Sequence, residues 1–165
     1  MNATELLANP MSFVDGLLVD TNLLVLLAVG NVNRNRIETF KRTNRYTTQD
    51  YDLLLRVLGK FRKILTVAHV LAEVSNLTDL SGEERLEARR VVKDTISNMN
   101  EVEMSSTKAS EDSIYLKHGL TDAAIGAVAR EQNCVVLTDD LALYLRLGRE
   151  GLPVLNFSHL RIANW

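Results

Sequence analysis

The stretch that decides the fold is Gly16-Leu-Leu-Val-Asp20, a short apolar run that ends in a carboxylate. A second run, Cys134-Val-Val-Leu-Thr138, is equally apolar and is followed by Asp139 and Asp140. Neither run alternates between apolar and polar residues, which is typical of strands buried on both faces of a parallel sheet. We therefore predict that both runs are central strands of such a sheet.

Helices and shorter strands are predicted around these two runs. The helix after Asp20 is expected to stop at Gly30, and Thr47 begins a helix with capping residues. The first dozen residues are expected to wrap the surface, and residues 31–46 to form a loop or a loosely packed helix. The other predicted elements are strands at 64–67, 102–105 and 153–157, and helices at 21–29, 68–77, 81–98, 109–118, 121–132 and 141–148. Because helical crossovers connect parallel strands, we predict an α/β fold, a three-layer α/β/α sandwich.

Length and composition exclude several classes of protein. The 165 residues suit one domain, and the single cysteine, Cys134, excludes an intrachain disulfide or a cysteine-rich zinc site. The longest apolar stretch, residues 17–29, is interrupted by Asp20, Thr21 and Asn22, whereas a membrane-spanning helix needs about 20 apolar residues. A signal peptide would have basic residues before its apolar stretch, and none precedes this one. A cytoplasmic protein without a membrane segment is the simplest interpretation.

The charges are unevenly distributed along the chain, although the formal net charge is only −2. Residues 34–63 contain nine basic and three acidic residues, whereas residues 64–165 contain ten basic and fifteen acidic ones. A basic segment on an otherwise acidic chain is one signature of nucleic-acid binding. A solvated helical face is the alternative explanation, and charge alone favours it.

Acidic side chains are predicted to meet at one edge of the sheet. Asp20 and Asp140 follow the two central strands. Asp122 lies in the first turn of a helix that Thr121 is expected to cap, and Glu73 lies in the helix after the second strand. Ligands of parallel α/β sheets bind beyond the carboxyl ends of the strands, where these helices also begin.

Helix capping is the simpler explanation for each acid taken alone. Acids at helix N-termini accept backbone N–H bonds and interact favourably with the helix dipole, which would account for Asp20, Asp122 and Asp140. Glu73 fits this explanation poorly, because it lies well inside its helix. Together, however, four neighbouring carboxylates would repel one another unless protons or a cation neutralised them. A site with only oxygen ligands favours Mg²⁺ or Mn²⁺ over zinc.

A Mg²⁺ or Mn²⁺ site of this kind predicts phosphodiester hydrolysis. Such ions polarise the phosphodiester, lower the pKa of a bound water and stabilise the leaving oxygen. No segment of the sequence resembles a nucleophile elbow or a glycine-rich phosphate loop. Covalent serine catalysis and a nucleotide cofactor are therefore disfavoured.

Four segments resemble the motifs of PIN-domain nucleases, in the same order. Leu17-Leu-Val-Asp-Thr-Asn-Leu-Leu24 is similar to the first motif, and Glu73 resembles the second acid. Gly119-Leu-Thr-Asp-Ala-Ala-Ile-Gly126 is similar to the third motif, and Val135-Val-Leu-Thr-Asp-Asp-Leu-Ala-Leu143 to the final Thr-x-Asp segment. The resemblance covers about residues 17–157, so residues 1–165 are interpreted as a single PIN-like nuclease domain.

The resemblance implies a five-stranded parallel sheet in the order 3-2-1-4-5 and a pocket that binds Mg²⁺ or Mn²⁺. The residues that it implies as catalytic and as metal ligands are Asp20, Glu73, Asp122 and Asp140. Asn22 and Thr138 are implied as supporting polar groups, with Thr138 donating to a carboxylate. The Thr-x-Asp spacing favours Asp140 as the ligand, and its neighbour Asp139 is the alternative.

The resemblance also implies partners. Members of the family cleave single-stranded or structured RNA, many are VapC-like toxins paired with a small antitoxin protein, and many form homodimers. The segment at 31–63 is longer than in compact members and carries the basic excess, so it is interpreted as a basic helical or loop insertion. It would be either an RNA-guiding surface or a packing element. The candidate RNA contacts are Arg34, Arg36, Arg42, Arg45 and His69.

The sequence therefore predicts a Mg²⁺/Mn²⁺-dependent endoribonuclease that leaves a 5′-phosphate and a 3′-hydroxyl. Two rival interpretations are a PIN-like scaffold that binds RNA or protein without cleaving, and a metal-dependent phosphatase. The four acids disfavour the scaffold. A phosphatase that forms an aspartyl-phosphate usually has a second Asp two residues after the first, where this chain has Asn22.

Overall fold

Five short strands form the central sheet of the structure, a computed structural model that describes residues 7–8, 15–80, 82 and 84–163. The strands are Gly16–Val19 (β1), Ile64–Thr66 (β2), Asn100–Glu101 (β3), Cys134–Thr138 (β4) and Val154–Asn156 (β5). All neighbouring strands pair in parallel, in the order β3-β2-β1-β4-β5, which confirms the predicted sheet and strand order. The prediction for the first dozen residues lies outside the described residues, apart from positions 7 and 8, where Leu7 is buried.

Helices cover both faces of this sheet and complete the predicted three-layer α/β/α sandwich. They are Thr21–Val32 (α1), Thr48–Leu58 (α2), Ala68–Leu77 (α3), Glu84–Ser97 (α4), Ser106–Ser110 (α5), Tyr115–His118 (α6), Leu120–Glu131 (α7), Leu141–Arg149 (α8) and Phe157–Ile162 (α9). Helix α1 packs against α2, α3 and α4, whereas α7 and α8 pack against β4. No helix in the described part of the chain combines the length and the apolar character that crossing a membrane requires.

The two central strands lie wholly inside the apolar core. Every residue of β1 and β4 is buried, and Leu18 pairs with Val136 across the two strands. Burying a Leu or Val side chain stabilises a fold by about 1.5–3 kcal/mol, so these runs contribute strongly to the choice of sheet. The parallel pairing also brings the C-terminal ends of β1 and β4 side by side, where Asp20 and Asp140 follow.

Helix α1 extends to Val32, so Gly30 lies inside the helix rather than at its end. The glycine allows the ring of Tyr51 to pack on the helix backbone, since a Cβ at position 30 would lie 2.3 Å from the Tyr51 Cδ2 atom. The Tyr51 hydroxyl then donates to Asn31 Oδ1 at 2.6 Å. Gly30 therefore serves a contact between helices, and the prediction that it ends the helix is wrong.

Both edge strands differ from their predicted positions. Strand β3 lies at 100–101 rather than 102–105, and both of its residues are exposed, so no apolar run marks it in the sequence. The Val102 N–H still donates to the Thr66 carbonyl at 2.8 Å. Strand β5 stops at Asn156, whose side chain accepts from the His159 N–H at 3.2 Å and so caps α9, a helix that the sequence does not predict.

Two short helices, α5 and α6, replace the single helix predicted at 109–118. Between them the Asp112 side chain accepts from the Ile114 N–H at 2.8 Å, a local bond that competes with helix continuation. The N-cap of α7 is Gly119, with a φ of 87° in the left-handed region that favours glycine. The predicted capping by Thr121 is therefore wrong, since Thr121 already lies in the first helical turn.

Helix α1 takes up residues 31 and 32 of the segment at 31–46, and the rest consists of turns, bends and a 3-10 helix, Arg34–Arg36, as the loop prediction requires. It is not loosely packed, because four of its side chains are buried: Ile37, Phe40, Thr43 and Tyr46. Thr47 then opens α2 with a capping box, in which its hydroxyl accepts from the Asp50 N–H at 3.3 Å. The Asp50 carboxylate accepts in turn from the Thr47 N–H at 2.7 Å, so the predicted helix start is confirmed.

Candidate active site

A cleft of about 340 Å³ opens at the C-terminal edge of the sheet, where β1 and β4 end and α7 begins. Its acidic lining consists of Asp20, Glu73, Asp122 and Asp140. Thr21, Asn22, Thr121 and residues 118–120 complete the lining. The structure thus brings four acids from four separate segments into one cleft and places Asn22 beside them.

Hydrogen bonds fix Asp20 in the wall of this cleft, where it is only 4% exposed. Its Oδ1 accepts from the Leu23 N–H at 3.2 Å, and its Oδ2 accepts from the Asp139 N–H at 3.0 Å and from the Thr138 hydroxyl. Burial raises the pKa of Asp20, and the hydrogen bonds act in the opposite direction. Asp20 is therefore the N-cap of α1, and this capping does not remove it from the cleft.

Thr138 joins Asp20 to Asp140. Its hydroxyl donates to the Asp20 carboxylate and accepts from the Asp140 N–H at 2.9 Å. Asp140 Oδ1 accepts from the Leu143 N–H at 2.9 Å and so caps α8. Because Thr138 is fully buried, water does not compete for these bonds, and both acids keep a defined orientation.

Glu73 reaches the cleft from the middle of α3. Its Oε2 accepts from the Thr21 hydroxyl at 2.8 Å. Thr21 follows Asp20 directly, so this bond ties the second acid to the end of β1. Nothing in the sequence pairs Thr21 with Glu73, because the two residues are 52 positions apart.

Asp122 is a second acid whose protonation the cleft changes. No side-chain hydrogen bond caps the start of α7, so Asp122 lies in its first turn without acting as the N-cap. Burial, and after it the negative charges of Asp140, Asp20 and Glu73, together raise the pKa of Asp122 from 3.8 to about 7. The four acids are therefore close enough to interact electrostatically, and Asp122 titrates near neutral pH.

The cleft has the donor chemistry that suits a hard divalent cation. Its lining offers carboxylate, hydroxyl and amide oxygens, and none of the described lining residues is Lys or Arg. The acids thus have no cationic partner within the cleft, and Mg²⁺ or Mn²⁺ would relieve their repulsion. Within the described ranges, no three His, Cys, Asp or Glu side chains already have the arrangement of a metal site. Binding would require side-chain rotation, and among the four acids only the Asp122 carboxylate makes no hydrogen bond to another described residue.

Asp139 does not line the cleft, so the structure favours Asp140 over its neighbour as the candidate ligand. The Asp139 side chain is 4% exposed and contacts residues outside the cleft. It accepts from the Tyr46 hydroxyl at 2.7 Å and from the Ser158 hydroxyl at 2.5 Å, and it pairs with Arg45 at 3.3 Å. Burial and the Asp139 charge raise the pKa of Tyr46, which keeps its hydroxyl a proton donor. The sequence does not identify Tyr46 and Ser158 as supports of this edge.

The candidate RNA contacts lie outside this cleft. Three of the arginines form ion pairs: Arg34 with Asp52 at 2.5 Å, Arg36 with Glu84 at 3.0 Å, and Arg45 with Asp139 at 3.3 Å. Arg42 is exposed, and His69 Nε2 lies 2.8 Å from the Ser106 hydroxyl. The structure therefore does not bring these five residues to the acids, and ion pairing offsets part of the basic excess.

Comparisons with known proteins support the fold. No family model matches the chain, and no curated protein matches it either. The structure is similar to the crystal structure of PAE2754 from Pyrobaculum aerophilum, with a TM-score of 0.54 and 17% sequence identity. The similarity covers 90% of this chain and 96% of that chain. At this identity the likeness extends to the fold alone, so function must be argued from the cleft.

Proposed function

We propose that this chain is a PIN-type nuclease that hydrolyses phosphodiester bonds in RNA with the help of Mg²⁺ or Mn²⁺. The observation that carries the proposal is the meeting of Asp20, Glu73, Asp122 and Asp140 in one cleft without a Lys or Arg in its described lining. Capping hydrogen bonds explain Asp20 and Asp140 individually, but Glu73 lies in mid-helix and Asp122, in the first turn of α7, makes no capping bond. A shared cation explains all four positions.

The chain's own residues would divide the work. A bound Mg²⁺ or Mn²⁺ would polarise the phosphodiester and lower the pKa of the attacking water. Asp20 and Asp140 would hold the ion, because hydrogen bonds already fix their orientation. Asp122 would accept the proton of the attacking water, because it lines the cleft and no hydrogen bond to a described residue occupies its carboxylate, and Glu73 would orient that water or complete the ligand set. Cleavage would leave a 5′-phosphate and a 3′-hydroxyl.

RNA as the substrate follows from the resemblance of the four acidic motifs to PIN domains. The same resemblance supports a homodimer and a toxin controlled by a small antitoxin protein, and the lack of a signal-peptide pattern in the sequence supports a cytoplasmic location. Asn22 and Thr138 would support the acids, Asn22 from the cleft lining and Thr138 from beneath Asp20. Asp139 would support the site indirectly, since its backbone N–H rather than its carboxylate contacts Asp20.

Carboxylate-to-amide substitutions test the proposal directly. Asp20→Asn and Asp122→Asn should abolish Mn²⁺-dependent cleavage of a mixed RNA pool while the circular dichroism spectrum stays unchanged. Asp94→Asn is the matched control, because Asp94 is exposed on α4 and does not line the cleft. Full activity of both cleft variants would refute the assignment.

Two further measurements separate the proposal from its rivals. A scaffold that binds RNA or protein without cleaving need not bind a cation, so calorimetric titration with Mn²⁺ should distinguish it from a nuclease. A phosphatase should turn over a small phosphomonoester such as p-nitrophenyl phosphate. Mn²⁺ binding with cleavage of RNA and no turnover of the phosphomonoester is the result that the proposed function requires.

A further inference from the structure

A second cleft of about 340 Å³ borders the acidic one and has the opposite charge. Its lining includes Lys117 and His118 at the end of α6, and Arg146 and Arg149 on α8. No acidic side chain is among the described residues that line it. His118 lines both clefts, so they share a wall.

The cations of this second cleft differ in how they are held. The Arg146 guanidinium donates to the Ser113 hydroxyl at 2.8 Å and pairs with Glu150 at 3.0 Å, so its position is fixed. Lys117 and Arg149 are exposed, and neither forms an ion pair with another described residue. Their charges are therefore available to a ligand.

The basic segment at 31–63 offers less free charge near the acids. Arg34, Arg36 and Arg45 are paired with carboxylates, and none of them lines the acidic cleft. By contrast, Lys117 directly precedes His118 in the wall between the two clefts. An exposed Lys without an ion pair to another described residue thus adjoins the wall of the acidic cleft on α6, whereas no Arg or Lys of the segment at 31–63 lines that cleft.

A polyanionic substrate needs this arrangement. Four carboxylates repel a phosphodiester chain, and a bound cation would compensate only at the phosphate that is cleaved. The neighbouring phosphates require cations of the protein, which Lys provides as a compact charge and Arg as a two-pronged donor. Leu145, which is 45% exposed, lines the same cleft and offers an apolar surface to an unstacked base.

We propose that Lys117 and Arg149, supported by Arg146, form a subsite that binds the phosphate backbone of single-stranded RNA next to the cleavage point. This subsite deepens the proposed function and rests on it, because it assigns the strand a path out of the acidic cleft past His118. The exposed apolar surface of Leu145 favours a single strand over a duplex, whose bases are stacked and paired.

The test is a binding measurement in the Asp122→Asn background, where cleavage should not interfere. Fluorescence anisotropy in EDTA, so that binding does not depend on how much Mn²⁺ this variant still holds, follows a fluorescein-labelled single-stranded RNA of mixed sequence, about 12 nucleotides long. The double substitution Lys117→Ala/Arg149→Ala should weaken binding about tenfold or more. The slope of log affinity against log salt should fall by about 1.4, since each phosphate contact on a single strand contributes about 0.7.

The matched control is Arg89→Ala/Lys93→Ala, which removes one Arg and one Lys from the exposed face of α4, and neither residue lines the two clefts. The RNA affinity of the control variant should stay within about twofold of that of the parent protein. An equal loss of RNA affinity in both double variants would show a general effect of net charge and overturn the proposed subsite. Unchanged binding by Lys117→Ala/Arg149→Ala, or no binding by the parent, would overturn it as well.

The subsite and the proposed function can fail separately. If wild-type protein cleaves RNA with Mn²⁺ but Lys117→Ala/Arg149→Ala binds and cleaves normally, the function stands and the subsite is wrong. If the RNA affinity depends on Lys117 and Arg149 but calorimetry detects no Mn²⁺ binding, the nuclease is wrong and an RNA-binding cleft stands. A raised KM with a smaller change in kcat is the outcome that supports both.

Discussion

The hydroxyl of Tyr46 donates a 2.7 Å hydrogen bond to Asp139, which lies 93 positions later in the chain. This bond ties the turn-rich segment before α2 to the loop after β4. The Asp139 backbone N–H in turn donates to Asp20 at the edge of the acidic cleft. Tyr46 is therefore connected to the cleft through a single intervening residue, although it does not line the cleft.

Removing the Tyr46 hydroxyl should destabilise the fold. In Tyr46→Phe the ring keeps its edge contact with Phe157, but the buried Asp139 carboxylate loses a donor. Leaving such a buried group short of a partner costs about 1–3 kcal/mol, which urea unfolding would measure. Tyr115→Phe is the control, because Tyr115 is 40% exposed and should change stability by less than about 0.5 kcal/mol. Equal stability of Tyr46→Phe and wild type would show that Ser158 and Arg45 suffice.

Stability should fall as pH rises through the range in which Asp122 loses its proton. The folded-state pKa of about 7 exceeds the ordinary 3.8, so the folded protein binds more protons than the unfolded chain between these values. The free energy of unfolding should therefore decrease from about pH 4 to pH 7, by up to about 1.4 kcal/mol per pH unit, and level off above.

Comparison of wild type with Asp122→Asn isolates the contribution of Asp122 to this pH dependence, because the other carboxyl groups titrate in both proteins. The difference in unfolding free energy between them, measured in EDTA at several pH values, should change between about pH 4 and pH 7 and be constant at higher pH. A difference that does not vary with pH would contradict the raised pKa of Asp122.

Mn²⁺ should stabilise the folded protein, because an ion that binds only the folded state shifts the unfolding equilibrium. At a concentration of 100 times its Kd the expected gain is about 2.7 kcal/mol, seen as a higher Tm. Asp122→Asn should lose most of this gain, and the exposed-site variant Asp94→Asn should keep it. An identical Tm of wild type with Mn²⁺ and with EDTA would argue against a cation in the acidic cleft.

Two glycines should respond in opposite ways to a methyl group. In Gly30→Ala the new Cβ would lie 2.3 Å from the buried Tyr51 ring, so overpacking should cost about 1–3 kcal/mol. In Gly148→Ala the nearest atom is 3.9 Å away, on Val154, and the better helix propensity of alanine should stabilise by up to about 1 kcal/mol. Thermal unfolding of both variants measures the contrast, and a stabilising Gly30→Ala would show that Tyr51 can move aside.

The central part of the fold follows from local sequence because burial leaves an unbroken apolar pattern. The runs at β1 and β4 show this pattern, and the acid that follows each run can be placed at the sheet edge by topology alone. Strand β3 is predicted two residues too late in the chain, because its two residues are exposed and no apolar run marks its position. The helix end predicted at Gly30 is wrong for a related reason, because the Tyr51 ring that requires a glycine there comes from another helix.

By itself the amino-acid sequence determined that the chain builds a parallel α/β sheet with Asp20, Glu73, Asp122 and Asp140 on segments that begin or end at one edge. These features depend on residues near one another in the chain, whose apolar periodicity and helix signals act locally. Only the tertiary structure decided which neighbouring aspartate enters the cleft. The Thr-x-Asp spacing favours Asp140 but leaves Asp139 as an alternative, and Asp139 is held away from the cleft by contacts with Tyr46 and Ser158 that form only when distant segments pack.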